Sequence, residues 1–242
     1  MSKSNYFNTV KEFSRFADEY EKYNIIQNKV ARSVAKIATK IDSFSILDIG
    51  CGSGALYKLL GIDCTQVERY YALDLSKQML KKHPQNSYVH KIVLDFNDKD
   101  FFVKLPREHI DLVVSSSALQ WCNDLDYFFL SLSNITDNIV FSIFTSKTFS
   151  TIHDFVDLSS PIPSLEEIIE ASKAYHKPLY YSIQNYKIEF DNNYELFRYI
   201  KRSGVSGGVK RLSFKETKQL ISNYPYSYLE FEIVIVSTEK IS

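Results

Sequence analysis

The chain has 242 residues, of which 45% are hydrophobic, 14% aromatic and 24% charged, with Lys plus Arg and Asp plus Glu balanced at 29 each. This composition supports a folded core rather than a disordered chain, and the balance supplies no global field for DNA, RNA or an anionic membrane. Cys51, Cys64 and Cys122 match neither zinc-site nor Cys-x-x-Cys spacing, the N-terminal stretch lacks a signal-peptide core, and no apolar run reaches membrane-spanning length. The expectation is a cytoplasmic monomer with no metal, nucleic acid or membrane as partner.

In chain order, residues 25–41 place Ile26, Val30, Val34, Ile37, Ala38 and Ile41 at helical spacing, with Lys29, Arg32, Lys36 and Lys40 between them. Short β-rich runs follow at 45–49, 69–74, 88–94, 110–116 and 139–145, separated by helix-compatible segments. That alternation predicts a parallel sheet covered on both faces. Ser76 is a candidate N-cap for the helix KQMLKKH, which ends before Pro84. Beyond Thr145, residues 147–178 read as a helical insertion holding Pro161, Pro163 and Pro178. Strand-like runs at 180–190 and 228–236 are expected to be antiparallel neighbours, with helices at 192–202 and 213–223 flanking the link Ser203–Gly208.

The string ILDIGCGSG, Ile46–Gly54, is a buried strand running into a glycine-rich turn that opens a helix over Ala55–Leu60. Gly50, Gly52 and Gly54 allow a tight turn and close approach of a ligand, and the helix start offers free N–H groups. Gly50, Gly52 and Ala55 also satisfy a relaxed dinucleotide fingerprint, so the turn alone fits NAD as well. Asp74, ending the second strand, can accept both ribose hydroxyls of an adenosine, which again suits either ligand. Asp48 separates them in part: an acid just ahead of the glycines is expected where a cationic amino-acid group is held, and NAD has none. Asp95 and Phe96, after the third strand, stand where an adenine amine and ring are read, unless Asp95 is a plain loop carboxylate. The fourth strand ends in SSSALQWCNDL, Ser115–Leu125, with the only tryptophan, Trp121. It either faces the reacting centre or packs as a core aromatic.

Together these motifs resemble the class I S-adenosylmethionine-dependent methyltransferases. SSALQWCNDL with ILDIGCGSG is similar, within them, to the malonyl-acyl-carrier-protein O-methyltransferase family. Phe13, Arg15, Ala17, Tyr20 and Gln27 match that family's F-x-R-x-A-x-x-Y-x6-Q pattern. Ser116 departs from an Asn often found there, and the cover after Ser146 diverges. The resemblance implies an α/β, Rossmann-like, mostly parallel seven-stranded sheet of order 3-2-1-4-5-7-6 with a reversed last strand. It implies one domain: a lid at 1–42, a cofactor core at 43–146, a helical insertion at 147–179, and C-terminal strands at 180–242 carrying a helical cover at 191–224. S-adenosylmethionine would be lined by Asp48, Gly50, Cys51, Gly52, Gly54, Asp74, Leu75, Asp95, Phe96 and Ser115, with Tyr20 and Gln27 closing over its methionine end and S-adenosylhomocysteine as product. Tyr20, Gln120, Trp121 and Arg202 are the candidates around the substrate, Arg202 for the malonyl carboxylate. The implied reaction esterifies the free carboxylate of a malonyl thioester at the start of biotin synthesis.

A carboxylate acceptor is already ionised and needs no general base; His83, His90, His109, His153 and His176 all lie outside these motifs. An Asn-Pro-Pro-aromatic tetrad, a common device for methylating nitrogen, is missing after strand four. Lys201, Arg202, Lys210, Arg211, Lys215 and Lys218 face one acid, Glu216, within residues 201–218. This run is either a solvated helical face or a docking surface for an acidic acyl carrier protein. Competing readings are a methyltransferase of a quinone precursor, an organic acid or a modified tRNA base, an NAD-dependent oxidoreductase, and a non-catalytic S-adenosylmethionine sensor.

Overall fold

The computed structural model describes residues 23–62, 66–203 and 212–241. Phe13, Arg15, Ala17, Tyr20, Cys64, Lys210, Arg211 and the link residues 204–208 lie outside the described residues. Seven strands form one sheet: β1 (Ser45–Ile49), β2 (Arg69–Asp74), β3 (Val89–Val93), β4 (Leu112–Ser116), β5 (Asn138–Phe144), β6 (His176–Glu189) and β7 (Tyr228–Lys240). Their order is β3-β2-β1-β4-β5-β7-β6. β1 to β5 run parallel, while β7 is antiparallel to β5 and β6 antiparallel to β7. All five residues of β1 are buried, as a central strand covered on both faces requires. The all-parallel order of a dinucleotide-binding sheet is not the one adopted here.

Helix α1 (Ile25–Ala38) buries Ile26, Gln27, Val30, Ala31, Val34, Ala35 and Ala38 along one stripe. It packs on α2 (Ala55–Leu60) and across β4, β5 and β7. Each fully buried Ile or Val in that stripe contributes about 1.5–3 kcal/mol by leaving water, enough to fix the helix over the sheet. The helix stops at Ala38 rather than continuing to residue 41; the chain there turns, with Ile41 N–H donating to Ala38 O. α3 (Lys77–Lys82) opens as expected, the Ser76 hydroxyl accepting from Met79 N–H. A short α4 (Phe101–Lys104) and α5 (Leu125–Leu132) complete the second face, where Phe101, Phe128, Phe129 and Phe141 build an aromatic core.

The stretch after β5 differs from its sequence reading. Within 147–178 there are two helices, α6 (Ser150–Phe155) and α7 (Leu165–Lys173), and β6 already begins at His176. Pro178 therefore sits inside a strand. It is tolerated because β6 is the sheet edge and the ladder shifts register between Pro178 and Tyr180. β7 likewise runs on to Lys240, paired on both sides, beyond the limit of 236 that apolar pattern suggested. α8 (Asn193–Ser203) and α9 (Phe214–Asn223) lie between β6 and β7 in sequence, as expected. No helix among the described residues is long and apolar enough to cross a membrane.

Candidate active site

The strand order reverses between β1 and β4, and a cavity opens beyond their carboxyl ends, the place where open α/β sheets bind ligands. Asn24, Gln27 and Asn28 from the α1 segment, Asp48, the turn Gly50–Ser53, and Ser116 line it. It continues into a cleft of ≈ 330 Å³ bordered by Arg32 and Lys58.

The glycine turn is held by backbone bonds from Gly50 and Cys51 N–H to Leu73 O, at 2.8 and 3.0 Å. Gly50 and Gly52 have φ of +74° and +55°, a left-handed region that disfavours side chains. Their surroundings differ. A Cβ on Gly50 would lie 2.3 Å from the Ala118 Cβ, whereas one on Gly52 would meet no described atom within 4 Å. Gly50 is thus needed for packing against the β4 loop, and Gly52 leaves open space above the turn.

Asp48 is 1% exposed. Its Oδ2 accepts from the Tyr70 hydroxyl at 2.7 Å, while Oδ1 has no hydrogen-bond partner among the described residues. Burial, opposed by that hydroxyl and reinforced by the charge of Asp74, pushes its pKa up to about 7. Gln27, buried in α1, donates from Nε2 to Ser203 O at 3.1 Å, and its Oε1 likewise has no partner among the described residues. Two inward acceptors without donors fit a primary ammonium, which brings three N–H donors and a positive charge. Asp74 accepts from Gly52 N–H at 2.9 Å and from Ser76 N–H at 2.7 Å. Those bonds oppose the upward shift that burial imposes on its pKa and fix its carboxylate beside the turn.

Asp95 accepts from Asn97 N–H at 2.8 Å, and Phe96 packs edge-on against Phe128. Leu75 and Phe96 lie half-buried beside the core. Gly54 packs against His83, whose Nδ1 lies 2.9 Å from Pro84 O. The Ser115 side chain is buried and its hydroxyl donates to Ile49 O at 2.8 Å, tying β4 to β1. The neighbouring Ser116, on the opposite face of the strand, lines the cavity. Cys51 is buried beside Asp48, and burial pushes its thiol well above the ordinary value.

Gln120 and Trp121 form a 3-10 turn after β4 and are 3% and 5% exposed. Trp121 belongs to the core cluster that includes Phe144 and Phe149, and its Nε1 is buried without a partner among the described residues. Arg202 differs from the other described basic residues of 201–218. Its guanidinium donates to Tyr23 OH at 2.8 Å and lies 5.3 Å from that ring's centroid, while Lys201, Lys215 and Lys218 are exposed. The sequence reading missed Tyr70, which carries no motif, and Asn97, whose Nδ2 donates to Trp121 O at 3.0 Å and links the third- and fourth-strand loops. It also missed Asn24 and Asn28, a helical i, i+4 pair bonded at 2.8 Å on the cavity side of α1.

The family model described as "Methyltransferase domain" matches residues 47–138, which span the glycine turn, the β2 acid and the β4 loop. Over those residues the chain is similar to a methyltransferase domain. Among curated relatives, a malonyl-[acyl-carrier protein] O-methyltransferase of Brevibacillus brevis is 30% identical over 152 residues, covering 59% of this chain and 54% of its own. One of Chlorobium luteolum is 26% identical over 218 residues, covering 82% and 79%. The chain thus spans about half the length of several curated relatives it matches, including 50% of that of Acetivibrio thermocellus. Among solved structures, a putative methyltransferase of Bacillus halodurans superposes with a TM-score of 0.61 at 11% identity, covering 88% of this chain and 99% of its own. The YcgJ protein of Bacillus subtilis does so with a TM-score of 0.58 at 13% identity, covering 87% and 99%. At those identities the superpositions establish the methyltransferase fold.

Proposed function

We propose that this methyltransferase uses S-adenosylmethionine to esterify the free carboxylate of malonyl-acyl-carrier protein in the cytoplasm, at the start of biotin synthesis. The observation that carries the cofactor reading is the buried Asp48 Oδ1 without a partner among the described residues, at the mouth of a turn whose Gly52 leaves open space. The substrate reading is supported by the name shared by the curated relatives from Brevibacillus brevis and Chlorobium luteolum.

When bound, the cofactor supplies an electrophilic methyl group on a sulfonium. Asp48 and Gln27 would hold its ammonium, Asp74 its ribose hydroxyls, and Asp95, Phe96 and Leu75 its adenine. Gly50, Cys51, Gly52 and Gly54 would cradle it, and Tyr20 would close over it. The protein's further task is alignment, bringing acceptor oxygen and methyl to about 3 Å in line and excluding water. No side chain needs to take a proton from an ionised carboxylate. Arg202, half-buried beside Tyr23 and one residue from the Gln27 partner Ser203, would draw the substrate's negative charge to the rim. Lys201, Lys210, Arg211, Lys215 and Lys218 would meet the acidic carrier.

The test is mass spectrometry of malonyl carrier incubated with protein and S-adenosylmethionine, beside succinyl carrier and free malonate. Gain of one methyl on malonyl carrier is the expected result. Cofactor binding with no methylated carrier would refute the substrate; no cofactor binding would refute the reading of Asp48.

A further inference from the structure

The loop after β4 carries a second group of buried polar atoms. Ser117 Oγ, Gln120 Oε1 and Trp121 Nε1 have no hydrogen-bond partner among the described residues. The backbone around them is nevertheless pinned. Ser117 N–H lies 3.1 Å from both Ser142 O and Ser142 Oγ, Gln120 Nε2 donates to Ser117 O at 2.7 Å, and Asn97 Nδ2 donates to Trp121 O at 3.0 Å. Ser117 is held at φ 59°, a conformation that costs a non-glycine residue free energy and persists only where surroundings enforce it. Strain and unpaired donors thus coincide on one short loop. That loop abuts the glycine turn through Ala118 and borders the cofactor cavity through Ser116.

The unpaired groups differ between the cofactor cavity and the loop after β4, where Gln120 Oε1 is an acceptor but the other two can donate. At Asp48 and Gln27 they are acceptors. At the loop, the Trp121 indole N–H can only donate, and the Ser117 hydroxyl has a proton to give. Donors suit an anionic oxygen and give no help to a protonated amine. Resting on the malonyl-carrier reading above, we infer that Ser117 and Trp121 bind the acceptor carboxylate, holding one oxygen by O–H and N–H donation while the other is left to face the methyl group. Gln120, oriented by its own bond to the Ser117 carbonyl, presents its Oε1 to an N–H of the same acyl arm. Selectivity for acids over esters and amides follows, since a neutral carbonyl is the weaker acceptor.

Trp121 is the only tryptophan, so its emission reports this site directly. Protein saturated with S-adenosylhomocysteine is titrated with malonyl carrier and with its carboxamide analogue, and kinetics are measured for Trp121→Phe, Ser117→Ala and Ser117→Gly. The expected outcome is an emission change with malonyl carrier alone. In each variant kcat/KM should fall roughly ten- to hundredfold, as for loss of a hydrogen bond to a charged group, with S-adenosylhomocysteine affinity within about twofold. Ser117→Gly separates structure from binding: relief of the left-handed strain should raise the melting temperature even as activity falls. Unchanged kcat/KM in both Trp121→Phe and Ser117→Gly would overturn the inference while leaving the proposed function intact. If wild-type protein fails to methylate malonyl carrier, the proposed function fails, and titration with malonate and succinate decides the inference: no emission change with either overturns it, and a change lost in Ser117→Ala supports it.

Discussion

Replacing Gly50 and Gly52 by alanine, one at a time, should separate folding from cofactor binding within three residues of chain. Both glycines are left-handed, which costs an L residue about 1–2 kcal/mol. Only Gly50→Ala adds a steric conflict, because its new methyl would stand 2.3 Å from a Cβ fixed to the Ala118 backbone. Overpacking of that kind adds about 1–3 kcal/mol, for a total of about 2–5 kcal/mol. At roughly 2–4 °C per kcal/mol for a chain of this size, the melting temperature should drop by roughly 4–20 °C. Gly52→Ala, with open space around it, should lose about 1–2 kcal/mol and only a few degrees. Its methyl projects into the space assigned to the cofactor, so S-adenosylhomocysteine affinity by titration calorimetry should fall by about tenfold or more. Equal melting temperatures for the two variants, or Gly52→Ala with undiminished affinity, would refute this division of roles.

Asp48 supplies a pH prediction. Its pKa is raised in the folded protein, from 3.8 to about 7, so the folded state binds more protons than the unfolded state between those values and stability falls as pH rises through that window. Asp48→Asn should therefore be more stable than wild type at pH 8, by an amount on the order of a few kcal/mol, and should bind S-adenosylhomocysteine weakly. Thermal unfolding at pH 5 and pH 8 checks the first part; an equal difference at both pH values would refute it. Wild-type affinity should weaken below about pH 7 as the carboxylate that faces the ammonium is protonated, and a flat affinity profile from pH 6 to 8 would contradict that assignment. Reversing Lys201, Lys215 and Lys218 to Glu should raise KM for the carrier substrate and invert its salt dependence while leaving kcat unchanged. Unaltered KM and salt response would leave those lysines as a solvated face.

The order of the elements was legible in the sequence because it depends on local signals: apolar runs of strand length, the glycine triplet, the Ser76 cap and the stripe of α1. The positions of Asp48 ahead of the glycine turn and of Asp74 at the end of β2 were legible from strand pattern alone. Three things needed the tertiary structure. Pro178 inside β6 depends on which strand occupies the sheet edge, a pairing made with distant β7 that sets Pro178 opposite Thr238. Ser116 rather than Ser115 faces the cavity because strand alternation settles the face only once a neighbour fixes the register, here through the Ser115 bond to Ile49. Arg202 turns inward onto Tyr23, away from the exposed lysines it accompanies in sequence, and the buried donors of Ser117 and Trp121 stay without partners among the described residues. Sequence determined which chemical groups the chain carries and their order. Only packing decided which are left unpaired, because desolvation and hydrogen-bond satisfaction depend on neighbours that chain order does not specify.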